Sequence, residues 1–327
     1  MSASLPTLSI VIPNYNHGQY LPAAVNAILR QSVQPAEVVI IDDGSTDNSV
    51  QILQELAAKH PVIRFYQNEK NQGAVYTINR GIDLATSEYV FLAAADDEIM
   101  PGFLEKSLTV LAKYPQAGLC CTIGDWREVA TGLNWHVGVG MADSPTYLSP
   151  ERMVELERAG RFYIAGHTAV MKRTALIEAG KCIPELKMAV DWFNNYLIGF
   201  RYGICYVPEP LAVFNIHSNS YYKKSRRDPQ LYREVLQEIM RRLTLPENRD
   251  VAERIREGGC LYSFASPMLK VLRSRPEYRR FITPNFLRKN LWHSTRLIVK
   301  KFTPAPLGNL YFKLAGLRAK SPSPASA

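Results

Sequence analysis

This 327-residue chain contains no uninterrupted run of the roughly eighteen apolar residues that a membrane-spanning helix needs. Its five cysteines, at positions 120, 121, 182, 205 and 260, form no CxxC pair. They supply neither a zinc knuckle nor a disulfide framework, and read as reduced, buried thiols of a cytoplasmic protein. The first apolar run begins within a few residues of Met1, so no secretory leader is expected. Internal repeats are lacking, and so are motifs of nucleic-acid recognition, which removes nucleic acid from the expected partners.

Acidic residues become scarce along the chain. Residues 1–220 hold 16 Lys/Arg against 22 Asp/Glu, a net of −6, whereas residues 221–327 hold 23 against 8, a net of +15. Beyond Pro267, 13 basic residues face the single acid Glu277. A composition boundary therefore falls near Tyr221, ahead of Lys223-Lys224-Ser225-Arg226-Arg227. It divides an amino-terminal domain, residues 1–220, from a basic helical extension, residues 221–327, that ends in the flexible tail Ser-Pro-Ser-Pro-Ala-Ser-Ala.

Strand and helix patterns alternate over the first hundred residues. Leu8–Ile12, Val38–Ile41, Arg64–Gln67 and Tyr89–Ala93 read as strands. Between them, apolar residues at 21, 24, 25, 28 and 29 recur with helical spacing, as do Val50, Leu53, Leu56 and Ala57, and Ala74–Ala85 reads as a third helix. Asp47 or Ser45 is placed to cap the second of these helices. Such alternation predicts an α/β fold with a mostly parallel, Rossmann-like sheet flanked by helices. The strand runs are nearly continuous in apolar character, as when both faces of a sheet are covered.

The run Tyr89–Ala93 leads directly into Ala94-Ala95-Asp96-Asp97-Glu98. Carboxylates at a strand end project into the crevice where open α/β sheets bind ligands. Hard oxygen donors there suit Mg²⁺ or Mn²⁺ beside a diphosphate; the alternative is a solvated acidic turn.

An ordered set of motifs then carries a family resemblance: Ser9 to Asn16, Gln31-Ser32, Glu37 to Asp47, Asn71-Gln72-Gly73, Asn79-Arg80-Gly81, Asp96-Asp97 and Pro101-Gly102. It continues through Gly180, Val190-Asp191-Trp192, Tyr206 to Ala212 and His217, about two-thirds of the chain. The set resembles family 2 inverting glycosyltransferases of the GT-A fold. The resemblance implies a UDP-, dTDP- or GDP-sugar donor, and Pro13, Asn14, Tyr15, Asp43, Asn71 and Gly73 as contacts to the nucleotide, with Lys70 nearby. It implies Asp96 against the donor or its metal, Asp97 and His217 as ligands of Mg²⁺ or Mn²⁺, and Asp191 as general base. Asp42 is expected to be a structural neighbour of Asp43.

Three positions depart from the family pattern: Ala94 stands for the first acid of Asp-x-Asp-Asp, Val190 for the acid before Asp191, and Asn215 for a common arginine. The first two keep open a scaffold that binds nucleotide sugar without turnover. A sugar nucleotidyltransferase is the weaker alternative, because Pro13 to Gly18 carries no phosphate-loop Lys or Arg. Trp126, Trp135 and Trp192 are candidates for sugar stacking or for core packing, and His167 for a loop or core role. The expected acceptor is a glycan or lipid-linked glycan. On a helical wheel of residues 286–302, Phe286, Leu287, Leu291, Leu297, Ile298 and Phe302 share one side, while Arg288, Lys289, Arg296 and Lys300 lie mostly opposite. That pattern suits either an anionic membrane surface, with the protein peripheral on the inner face of the cytoplasmic membrane, or packing on the catalytic domain.

Overall fold

The computed structural model describes residues 4–217 and 228–302, with residues 294 and 296–302 described by backbone alone. The basic cluster at 223–227, the boundary near Tyr221 and the terminal tail lie outside the described residues. The first hundred residues fold as alternating elements: β1 (Leu8–Asn14), α1 (Leu21–Leu29), β2 (Glu37–Asp42), α2 (Ser49–Lys59), β3 (Ile63–Gln67), α3 (Ala74–Leu84), β4 (Tyr89–Leu92) and β5 (Glu98–Ile99). Then come α4 (Phe103–Lys113), β6 (Leu119–Glu128), β7 (Leu133–Val137), β8 (Thr146–Leu148), α5 (Pro150–Arg158), β9 (Val170–Lys172), α6 (Arg173–Glu178), α7 (Val190–Tyr202) and β10 (Ile204–Ile216). Four further helices follow, α8 (Pro229–Leu243), α9 (Arg249–Gly258), α10 (Ala265–Ser274) and α11 (Pro284–Phe302).

The sheet runs β3-β2-β1-β4-β9-β6-β10-β5, with β7 paired to β6 and β8 to β10. β1 is parallel to β2 and β4, Val11 lying opposite Val39 on one side and Leu92 on the other. β9 is antiparallel to both β4 and β6, so it joins the two halves of the sheet without changing their direction. β1, β2, β3, β4, β6 and β10 therefore point the same way. Tyr15, Asp43, Asp96-Asp97, Trp126 and His217 belong to the carboxyl ends of these strands or to the residues just after them, the edge at which open α/β sheets bind ligands.

Each sheet face carries its own core. One holds Ile10, Ile12, Val25, Ile40 and Phe103 beneath α1, α2 and α4. The other gathers Val11, Val39, Met153, Phe193 and Tyr196, and it is continuous with Val235, Ile239, Val251, Leu272 and Phe286 of α8 to α11. The basic half of the chain thus shares a core with the sheet from α8 to the start of α11. Asp228 begins this unit, its side chain accepting from the N–H of Gln230 (3.0 Å) and Leu231 (3.1 Å), an N-cap that satisfies two otherwise unpaired donors.

Lys289 departs from the helical wheel. Among the described side chains of α11 it is the basic one that is buried, 7% exposed against a fully buried Glu157 of α5. Its Nζ donates to the Glu157 carboxylate, to the Glu157 carbonyl (2.8 Å) and to the Gly258 carbonyl (3.2 Å), and lies 4.1 Å from the centre of the Tyr262 ring. The Tyr196 hydroxyl donates to the other carboxylate oxygen of Glu157. Three donors spent on three acceptors explain how an ammonium survives in a core. Wheel geometry cannot see this, because the partner is 132 residues away.

At the amino ends of the strands Glu37 has the converse role. Its carboxylate accepts from Ser9 Oγ (2.7 Å), Thr86 N (2.6 Å), Thr86 Oγ1 (2.8 Å) and the Arg64 guanidinium. Burial alone would raise this carboxyl; the Ser9, Thr86 and Arg64 donors outweigh it and hold the pKa at about 2, against an ordinary 4.5. A depressed folded-state pKa stabilises the fold above about 4.5 and loses that stabilisation as pH falls towards 2. Glu37→Gln should therefore cost on the order of 3 kcal/mol near neutral pH. In urea unfolding followed at several pH values, the gap from wild type should narrow steadily below about pH 4. A gap that stayed constant with pH would mean that the carboxylate charge is not what stabilises this edge.

Candidate active site

Three loops meet at the carboxyl ends of β1, β2 and β3, and buried carboxylates hold them together. Asp42 accepts from Asn14 Nδ2 (2.9 Å) and from Ser45 N (2.9 Å). Asn14 also reaches Ser45 Oγ at 3.3 Å. Asp43, 3% exposed, accepts from Asn68 Nδ2 (2.7 Å), Gln72 N (2.9 Å) and Gly73 N (2.8 Å). Burial pushes the Asp43 carboxyl up, but the donors from Gln72, Asn68 and Gly73 prevail and hold it below the ordinary carboxylate value. The Thr77 hydroxyl is a further donor that lowers it, so the carboxylate is well supplied from within the fold. Gly44, at φ +73°, lets the loops approach: a Cβ there would lie 2.9 Å from Lys70 Cα and Asn71 N. Tyr15 stands at the rim, 43% exposed, beside the half-buried Pro13. Asn71 and Lys70 are exposed on the third loop, where the Asn71 side chain accepts from Gly73 N (2.9 Å).

Beyond β4 the acids converge. Asp97 Oδ1 accepts from Asn215 N (3.0 Å), while Asn215 Nδ2 donates to the Asp96 carbonyl (2.8 Å). The residue that replaces the family's arginine thus fastens β10 to the acidic turn. His217 Nε2 lies 3.8 Å from Asp96 Oδ2 and has no hydrogen-bond partner. Burial first, then the Asp96 charge, push the Asp97 carboxyl well up, against the Asn215 N–H; the Asp191 charge adds to the rise. Asp191 therefore lies within electrostatic reach of Asp97.

Asp191 occupies the first turn of α7, and burial raises its carboxyl above the ordinary value. Its side chain nevertheless keeps solvent contact. The surrounding protein thus desolvates a carboxylate that is still accessible. Gly166 leaves the room it needs: a Cβ at 166 would fall 2.7 Å from Asp191 Oδ2. Val190, in place of the family's acid, is 6% exposed and belongs to the core. Ala94 lines a small cavity with Asp97, Glu98 and His167.

Two carboxylates under mutual repulsion, beside an imidazole nitrogen without a partner, make an oxygen-rich donor set that fits Mg²⁺ or Mn²⁺. Among the described residues no group of three His, Cys, Asp or Glu side chains forms a ready-made cage. Both ions accept few protein ligands and complete their shells from phosphate and water.

His167 is half-buried and lines the small cavity beside Asp97. Burial lowers its pKa to about 4 despite a hydrogen bond to the Ala212 backbone, and its ring stacks on Phe214 at 5.6 Å. Trp192 packs on Tyr196, 4.5 Å between ring centres. Sequence reasoning passed over Asn16, whose Oδ1 accepts from Thr46 N (2.8 Å) and Asp47 N (3.3 Å) at φ +54°. Asparagine tolerates that conformation, and its place between two strand-end loops is the available signal. Gly166 left no signal, since its reason is a side chain 25 residues onward.

Residues 9–180 match the model of the glycosyl transferase family 2. Among curated relatives, the uncharacterised glycosyltransferase YibD of Escherichia coli K12 is 36% identical over 135 residues, 41% of this chain and 39% of that protein. The match to the glycosyltransferase GlyG of Streptococcus pneumoniae covers 33% of its length, so this chain spans well under half of these two relatives. Among solved structures, residues 1–349 of S. aureus TarS in complex with UDP-GlcNAc superimpose with a TM-score of 0.63 at 19% identity, covering 86% of this chain and 79% of that one. The mannosyltransferase PcManGT of Pyrobaculum calidifontis, in complex with GDP-Man and Mn²⁺, gives 0.60 at 17% identity, covering 97% and 88%. These likenesses show the fold, GT-A, and confirm the mostly parallel sheet read from the sequence.

The acidic centre yields a direct test. Carboxyl-carbon NMR titration should find Asp97 protonating well above an ordinary aspartate, and Asp96→Asn should bring that value down by removing the neighbouring charge. An Asp97 titration unmoved by the substitution would mean that burial alone sets it.

Proposed function

The chain belongs to glycosyl transferase family 2 and is a glycosyltransferase; from that premise we propose that it moves a sugar from a nucleoside-diphosphate donor to a hydroxyl of a glycan or lipid-linked glycan, with inversion at the anomeric carbon. The observation that carries this reading is the pairing of Asp191, accessible and raised by burial, with the Asp96–Asp97–His217 group at the adjacent strand ends. One group suits proton removal and the other suits a diphosphate with its counter-ion.

In this reading the nucleotide lies along the β1, β2 and β3 loops. Tyr15 offers a ring face to the base, Asp43 a carboxylate oxygen to a base N–H, and Pro13, Asn14, Asn71 and Gly73 shape the loops around it. The UDP-GlcNAc of TarS and the GDP-Man and Mn²⁺ of PcManGT make both the nucleotide class and the metal reasonable here. Asp96, Asp97 and His217 are the residues to hold a divalent ion, which would supply positive charge against that developing on the diphosphate. Asp191 accepts the proton of the acceptor hydroxyl as its oxygen bonds to the anomeric carbon. The bond from that carbon to the diphosphate oxygen breaks, and the leaving group keeps the electron pair. Displacement in one step inverts configuration. A raised pKa makes Asp191 a stronger base than an ordinary aspartate once it is deprotonated.

Membrane association belongs to the same proposal. Leu287, Leu291 and Trp292 of α11 are 45%, 70% and 66% exposed, in the stretch that has no acid after Glu277. Such a surface suits an anionic lipid headgroup layer at the inner face of the cytoplasmic membrane. No helix among the described residues is long and apolar enough to cross a membrane.

Asp191→Asn should lower kcat by about 10²–10⁴ while calorimetric binding of UDP, GDP or dTDP, with and without Mn²⁺, stays unchanged. In wild type, kcat should fall on the acid side with an apparent pKa above that of an ordinary aspartate, since the base works only when deprotonated. Full activity in the Asn variant would remove Asp191 from this role. Failure of a folded protein to bind any of the three nucleotides would sink the reading as a whole.

A further inference from the structure

We propose that the ring cluster built on the β6–β7 hairpin is a carbohydrate-binding subsite, which takes the sugar next to the one presented to Asp191; this rests on the transferase reading above. Trp126 lies at its centre, with Trp135 at 5.9 Å, Tyr163 at 6.3 Å and Phe214 at 5.7 Å between ring centres. Trp126 and Trp135 are direct cross-strand partners on β6 and β7, and Phe214 is the partner of Trp126 on β10. Tyr163 is 37% exposed, and both tryptophans are half-buried. The cluster therefore shows aromatic surface at the same strand ends as the acidic centre, instead of closing into a core.

A chain of contacts joins it to Asp191. Phe214 stacks on His167, and Gly166, the residue before His167, abuts the Asp191 carboxylate. Gly124 and Trp126 point to one face of β6, since alternate strand residues share a face. A Cβ at 124 would meet His167 Cε1 at 2.8 Å, so that face is bare where it passes His167 and aromatic one step further out. The indole N–H of Trp126 and Nε2 of His167, on either side of Phe214, have no hydrogen-bond partner. With its pKa lowered to about 4, His167 is neutral near neutral pH.

The occupant is a sugar ring. Flat aromatic faces with a partly wet rim match the C–H face of a pyranose, whose hydroxyls stay hydrated. A lipid chain would want a closed apolar channel. The site thus reads an acceptor of two or more sugars, the terminal hydroxyl at Asp191 and the following ring on Trp135 and Tyr163.

The test is saturation-transfer NMR on the full chain with Mg²⁺ and whichever of UDP, GDP and dTDP binds. The probes are cellobiose, chitobiose, maltose and lactose, each beside its constituent monosaccharides. Wild type should saturate at least one disaccharide more strongly than its monosaccharides, and Trp135→Ala or Tyr163→Ala should weaken that binding by about two- to tenfold. Nucleotide affinity should stay at the wild-type value, since neither residue belongs to the β1, β2 or β3 loops, and circular dichroism should show both variants folded. Equal sugar binding in both folded variants, or no disaccharide bound by a wild type that binds nucleotide, overturns the subsite. Ring-dependent sugar binding by a protein that binds no nucleotide would leave the subsite standing and remove the transferase reading beneath it.

Discussion

Capture of buried carboxylates by main-chain and side-chain donors at the ends of parallel strands is the interaction on which the rest of this molecule depends. The strands β1 and β2 are apolar along most of their length and covered on both faces, so nothing polar in their middles fixes the loops that leave them. Glu37 binds the amino edge together through Ser9, Arg64 and Thr86. Asp42 and Asp43 do the same at the carboxyl edge, through Asn14, Ser45, Asn68, Gln72 and Gly73. Charge-assisted bonds of this kind are stronger than neutral ones, and each joins segments that the sheet alone leaves free.

The same residue type does opposite work two strands along the same edge. Asp43 is buried and held ionised by its donors, whereas Asp97 is half-buried beside Asp96 with few donors and is pushed the other way. Donor supply decides between them, since both pay for burial. A carboxylate that is fully satisfied stiffens the fold. One that is short of donors keeps an unmet demand for a proton or a cation, which is the condition chemistry needs.

How much of this was legible follows from the range of each signal. The parallel strands could be read because their apolar runs are local, and Asp191 could be located because it belongs to an ordered motif. The meaning of Val190 could not: as a substitution it looked like a lost acid, yet its side chain faces the core. Gly166 and Lys289 were invisible for a related reason. Each answers to a side chain distant in sequence, Asp191 for one and Glu157 for the other. The wheel placed Lys289 on a basic face with Arg288 because periodicity knows the helix and nothing of what it packs on. Trp126 and Trp135 were read as single candidates, and only strand register makes them partners.

The Glu157–Lys289 pair has a consequence for how the chain acquires its shape. Glu157 reaches Lys289 on one side and Tyr196 on the other, and Tyr196 stacks on Trp192, the neighbour of Asp191. A ribosome releases Asp191 long before Lys289, so for an interval the helix bearing the acid has its own turns but lacks the ammonium that neutralises the carboxylate beneath it. Contacts of such long sequence separation close late. The nucleotide-side loops, stitched within the first hundred residues, are free to set earlier, which gives the nascent protein a donor half that matures before its chemical half.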